Sequence, residues 1–156
     1  MSDIRVVKVP IESLTPDAFA PFGDVIECFE DAEPEILKGN FRNKEIPIDE
    51  VTLQQTHWAY HTDAGQSFYP KHNTRCVFMV GPIGETLDHG DVRAFYSAGS
   101  LGIVVKIGVW HTFPITLDGN EVFLSARGDA DYMEHSVEIE FDRDRGVAFE
   151  ADVSTL

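Results

Sequence analysis

Residues 102–111 read Gly-Ile-Val-Val-Lys-Ile-Gly-Val-Trp-His, and this order sets the reading of the whole chain. Three β-branched residues, Ile103, Val104 and Val105, favour an extended, pleated backbone. Lys106 then interrupts the apolar run. Burying an unpaired charge costs several kcal/mol, so this lysine either reaches solvent or meets a partner. Gly108 supplies the conformational freedom of a tight turn. The turn presents Trp110 and His111 and is suited to aim an imidazole into a β interior.

The segments on either side repeat the extended pattern. Strands are predicted at Ile4 to Val9, Val25 to Cys28, Val92 to Ser97, Ile103 to Ile107, Thr112 to Leu117 and Glu121 to Ala126. Val51 to His61 alternates, so His57, Ala59 and His61 share one face. Thr74 to Val80 is a continuous apolar run, as expected of a strand buried on both faces. Met133 to Phe141 alternates again, and Val147 to Phe149 reads as a closing strand. Asp118-Gly119-Asn120 is predicted to be a hairpin turn between its flanking strands. One helix is predicted, starting at Thr15-Pro16-Asp17: threonine caps free amides, proline fits the first position and aspartate suits the dipole. Pro21 and Gly23 end it. Asp31 to Pro47 reads as a long acidic surface loop with one short strand around Phe41. Many short strands without a β-α-β rhythm indicate an all-β sandwich or barrel.

The chain has 156 residues, 43% hydrophobic and 25% charged, which suits one domain over 1–156. A formal net charge of −15 argues against nucleic acid or an anionic membrane as partner. It also means that a site for a small carboxylate needs local cations. No apolar run reaches the roughly 20 residues that span a bilayer. The opening MSDIRVVKVPIE lacks the apolar core of a secretory signal, so a cytoplasmic protein is expected. Two cysteines, Cys28 and Cys76, make no disulfide framework.

Several blocks resemble the ureidoglycolate lyase family. Leu14 to Glu27, LTPDAFAPFGDVIE, is similar to the family's opening. His61 to Pro70, HTDAGQSFYP, is similar to its H-P-x-G-x-Q-A-F-x-P block, with His61, Gln66, Phe68 and Pro70 matching. Arg93-Ala94-Phe95 resembles its R-A-F strand, residues 102–111 its G-V-N-Y-x-x-G-V-W-H block, and Phe123-Leu124 with Arg127-Gly128 its F-L-x-x-x-R-G. Gly108 and His111 also match the second cupin signature, roughly P-x-G-x-x-H, with Lys106 where the proline would be. The resemblance implies a cupin-like double-stranded β-barrel of jelly-roll type with one short N-terminal helix. It further implies a homodimeric carbon–nitrogen lyase that splits ureidoglycolate into glyoxylate and urea during allantoin and purine breakdown.

The chain departs from the family pattern at named positions. Val104 and Val105 replace an Asn-Tyr pair, Ile107 a basic residue, and Ala126 an aspartate. His111-Thr112-Phe113 replaces His-His-Pro, and His57, Trp58 and Ala59 replace acidic residues. Buried polar complementarity discriminates substrates strongly, so these changes keep two alternatives open. One is a diverged cupin enzyme acting on another small carboxylate; the other is a non-catalytic small-ligand-binding cupin.

Collapse of a hemiaminal needs a group that titrates near neutrality and a fixed cation or donor. His111 and His61 are the candidates for proton transfer, with Lys106 as a third catalytic candidate. Gln66, Arg93 and Arg127 are the candidates for holding substrate. Two cofactor readings stay open: a divalent metal such as nickel or manganese held by His57, His61 and His111, or none. On a regular strand His57 and His61 stand roughly 13 Å apart, far for one ion. His72, His89 and His135 are read as loop or surface residues.

Overall fold

The computed structural model describes residues 3–31, 42–127 and 136–156. Its strands are β1 (Arg5–Ser13), β2 (Gly23–Ile26), β3 (Arg42–Ile48), β4 (Gln54–Gln55), β5 (His57–His61), β6 (Gln66–Pro70), β7 (Cys76–Gly81) and β8 (Arg93–Ser97). They continue with β9 (Gly102–Val105), β10 (Trp110–His111), β11 (Ile115–Thr116), β12 (Glu121–Arg127), β13 (Ser136–Glu140) and β14 (Val147–Asp152). Two helices, α1 (Pro16–Phe19) and α2 (Phe141–Arg145), complete the regular structure. The described strands form a larger sheet ordered β13-β5-β10-β7-β8-β1-β14-β4, with β11 beside β7, and a smaller one ordered β2-β9-β6-β12-β3. This is the mostly β, cupin-like architecture expected from the sequence.

Strand β7 shows how the sheets pack. Its side chains alternate between two cores, as its continuous apolar sequence predicts. Cys76, Phe78 and Val80 join Phe68, Phe95, Ile103, Val105 and Phe123 between the sheets. Val77 and Met79 join Trp58, Trp110 and Phe149 on the opposite face. Edge-to-face contacts such as Trp58 against Phe149, at 5.3 Å, add to the burial of that second core. Close backbone approach is needed where β2 meets β9. A Cβ on Gly23 would lie 1.8 Å from the Val104 carbonyl oxygen.

Helix α1 forms as its sequence dictates: the Thr15 hydroxyl accepts from the Ala18 amide at 3.2 Å, with Pro16 at the first position. Three readings need correction. The segment expected to be loop up to Pro47 contains β3, which pairs with β12 from Glu121↔Ile48 to Arg127↔Arg42. A distant ladder partner outweighs its poor local propensity. The short strand expected around Phe41 falls outside the described residues. Asp118-Gly119-Asn120 does turn, with Gly119 at φ +97°, yet it links no hairpin. Strand β11 pairs with β7 while β12 pairs with β3 and β6, so the turn carries the chain between sheets. After β13 the alternation breaks at Phe141 into α2, closed by Gly146 at φ +66°. Strand β14 lies between β1 and β4, parallel to β1.

The start of β12 is anchored by a buried carboxylate. Glu121 accepts from the backbone amides of His72 (3.1 Å), Thr74 (3.0 Å) and Val122 (2.7 Å) and meets His72 Nδ1 at 2.8 Å. Burial alone would raise its pKa. The amides of Val122 and Thr74 outweigh that and hold it below the ordinary glutamate range. Glu121→Gln is expected to cost about 1.5–3 kcal/mol of unfolding free energy at neutral pH. Because the folded carboxyl is the stronger acid, its contribution is full above the unfolded value near about 4.3 and is lost as pH falls through the folded pKa. The gap between variant and wild type in urea titrations is therefore constant above about pH 5 and narrows in acid.

Candidate active site

The glycine turn builds the site. Val109 N–H donates to the Lys106 carbonyl at 3.1 Å, and Gly108 stands at the third position with φ +85°, which a type II turn requires. Gly108 N–H reaches back to the carbonyl of His61 at 2.9 Å, tying the turn to the end of β5. Strand β10 follows, with His111 paired to Ala59 on one side and Val80 on the other. Trp110 points to the far core, where its indole N–H donates to the Gly84 carbonyl at 3.0 Å. His111 turns inward, its ring 5.1 Å from that of His61 and 5.8 Å from that of Phe68.

The two imidazoles line a cavity of about 100 Å³ together with Lys44, His57, Ala59, Gln66, Thr112, Phe113, Arg127 and Glu138. Gln66 sits between the imidazoles, its amide 2.8 Å from His61 Nε2 and 3.1 Å from His111 Nε2. The other end of the amide lies 3.1 Å from the Ser125 hydroxyl. His61 Nδ1 meets the Ser136 hydroxyl at 2.7 Å, and His111 Nδ1 meets the Val109 carbonyl at 3.0 Å. Burial lowers the pKa of His61. Burial, with the neighbouring His61, pushes His111 down to about 3.

Of the residues singled out in the sequence, His111, His61, Gln66, Arg127 and His57 come together here. Lys106 and Arg93 do not. Lys106 sits one residue beyond β9, exposed, and its ammonium donates to the Ala20 carbonyl at 3.0 Å. Arg93 pairs with Glu12 and lies over the rings of Phe22 and Phe95, at 5.5 and 5.1 Å, as a surface brace. Beside Arg127 the cavity has a second cation that was not singled out, Lys44, on β3. The signal for it was its period of two with Ile46 and Ile48, masked by the surrounding acidic and proline residues. Register places Lys44 opposite Ser125 on β12, on the face that Arg127 shares.

The proposed metal set does not fit. His57 is held by Glu140 at Nδ1 and faces Glu138 from Nε2 at 3.4 Å, while both other rings direct Nε2 at Gln66. Among the described residues no three His, Cys, Asp or Glu side chains converge as an ion's ligands. The departures at Val104, Val105 and Ala126 lie off the cavity. Val104 and Ala126 pack with Ile26 in a separate cluster, and Val105 belongs to the core between the sheets. Of the departures, those that border the cavity are His57, Ala59, Thr112 and Phe113. His72 is engaged by Glu121, His89 lies against Phe149, and His135 falls outside the described residues.

The ureidoglycolate lyase family profile matches residues 45–145. A ureidoglycolate lyase of Pseudomonas entomophila is 33% identical over 73% of this chain and 80% of its own length. That of Pseudomonas putida is 32% identical with the same coverage, and that of Pseudomonas paraeruginosa 31% over 78% and 82%. No helix among the described residues is long and apolar enough to cross a membrane.

A buried neutral histidine has a signature in acid. Its folded pKa is depressed, so below the unfolded value near about 6.5 the unfolded chain takes up a proton that the folded chain refuses. Stability therefore falls as pH drops from about 6.5 toward the folded value of about 3. His111→Asn is expected to flatten this dependence by roughly one proton, about 1.4 kcal/mol per pH unit, in urea unfolding between pH 6 and 4.

Proposed function

The chain belongs to the ureidoglycolate lyase family, and from that membership we propose that it splits ureidoglycolate into glyoxylate and urea in the cavity between His61 and His111. The observation that carries the reading is the meeting of two neutral imidazoles with two cations, Lys44 and Arg127, in one cavity of a chain of net charge −15. In such an acidic protein, cations gathered beside a pocket favour an anionic ligand. Arg127 and Lys44 receive the substrate carboxylate, Arg127 by its planar fork. This leaves the hydroxyl-bearing carbon beside the imidazoles.

The chemistry balances without a net change of protons. His61 Nε2 takes the hydroxyl proton, the carbon–oxygen double bond forms, and the carbon–nitrogen bond breaks with its electron pair on nitrogen. That nitrogen receives the proton and leaves as urea. Oxygen and nitrogen are bonded to the same carbon, so one ring nitrogen reaches both, and His61 serves as base and then as acid. Burial, with Arg127 nearby, keeps His61 from holding a resting proton. The reading extends, on the family resemblance, to a homodimer acting in the cytoplasm in allantoin and purine nitrogen breakdown.

The test is release of urea and glyoxylate from racemic ureidoglycolate by purified protein, measured against the spontaneous rate. Turnover is expected to survive chelation. His61→Asn is expected to lower kcat by about 10²–10⁴-fold. Lys44→Ala raises KM about tenfold with a smaller change in kcat, as removal of a carboxylate contact does. Wild-type turnover in His61→Asn, with the fold intact, would overturn the assignment.

A further inference from the structure

Gln66, expected to hold substrate, has both ends of its buried amide engaged by protein. The partners of the two rings decide what that amide does. The Val109 carbonyl, 3.0 Å from His111 Nδ1, can only accept, so Nδ1 carries a proton. A neutral imidazole has a single N–H, so His111 Nε2 presents a lone pair. The amide stands with Oε1 toward both Nε2 atoms, at 2.8 and 3.1 Å. In that orientation His111 must donate from both nitrogens and be an imidazolium, inside a site that disfavours the charge. Amide oxygen and nitrogen are nearly equal in size, and a half turn about the last bond exchanges them without displacing a neighbour.

We propose that Gln66 is a positioning residue whose NH₂ faces both rings when the pair is neutral, giving one N–H to each Nε2 while its oxygen accepts from the Ser125 hydroxyl. His61 then carries its proton on Nδ1 and donates it to the Ser136 hydroxyl at 2.7 Å. Donors and acceptors are matched through Gln66, both rings and the two serines. The two basic lone pairs face one point, and the substrate hydroxyl takes the place of one amide N–H at His61. With the opposite orientation, the amide oxygen accepts from two ring N–H groups, so the two amide orientations belong to the neutral and the protonated pair. The catalytic consequence rests on the lyase reading; the tautomer assignment does not. Other groups acting on the pair are Asp63, Arg127 and Glu138 toward His61, and His57 toward His111.

Nitrogen-15 NMR of the histidine rings in the intact protein at pH 7.5 tests the assignment, with His61→Gln and His111→Gln identifying the signals. The expected result is the Nδ1–H tautomer for both residues. An Nε2–H tautomer or an imidazolium at either ring would overturn the proposal, whatever the activity. Gln66→Glu places a carboxylate against both Nε2 atoms and is expected to raise the ring titrations by roughly one to three pH units. The acid limb of kcat/KM should move with them. Ring titrations unchanged in this variant would also overturn the proposal. Expected tautomers without turnover would refute the lyase reading and leave this assignment standing.

Discussion

The hydrogen bond from Gly108 N–H to the His61 carbonyl, 2.9 Å long, holds two distant parts of the chain in one place. It joins the end of β5 to the turn before β10, so the two imidazoles arrive side by side. The turn needs a positive φ at its third residue, which Gly108 provides. The same turn presents the Val109 carbonyl to His111 and sends Trp110 to the opposite core. Backbone geometry therefore sets the protonation of His111 before any substrate is considered. The polar contacts of His111 follow from that: one fixed Nδ1–H, one lone pair, one amide to meet it.

The electrostatics of the chain and of the cavity oppose each other. The surface is strongly acidic, which repels small anions at a distance. Lys44 and Arg127 reverse that sign locally, on neighbouring strands β3 and β12. His57 is clasped by Glu138 and Glu140 at one side of the cavity. Arg93 and Lys106, though cationic, are spent on the surface.

Much of this was legible in the residues. The β-branched run, the glycine turn and the inward His111 follow from local chemistry, as does the capped α1. The alternation in 51–61 placed His57, Ala59 and His61 on one face, which is where they line the cavity. What stayed hidden depends on partners far along the chain. Lys44 lies in a segment whose proline, glycine and acidic residues favour loop, and only pairing with β12 makes it a strand. Lys106 was ambiguous because the strand ends at Val105, so the alternation that would have aimed it no longer applies. Asp118-Gly119-Asn120 has hairpin chemistry, yet the strands beside it find other partners. Family departures at Val104 and Ala126 looked chemical and are matters of packing, because register turns both away from the cavity.

The parallel ladder between β1 and β14 pairs Arg5 with Val147 and continues to Pro10 with Asp152. Such pairing carries a loop-closure cost that local turns do not, and it slows folding relative to structures rich in short-range contacts. Synthesis must pass Val147 before β1 can find this partner. Until then β1 has β8 beside its C-terminal end, and the apolar positions Val7 and Val9 lack their cover. The nascent chain thus carries an open sheet edge until β14 is made, and Lys8 and Arg5, close to those valines, are charges of the kind that keep open edges from pairing with one another.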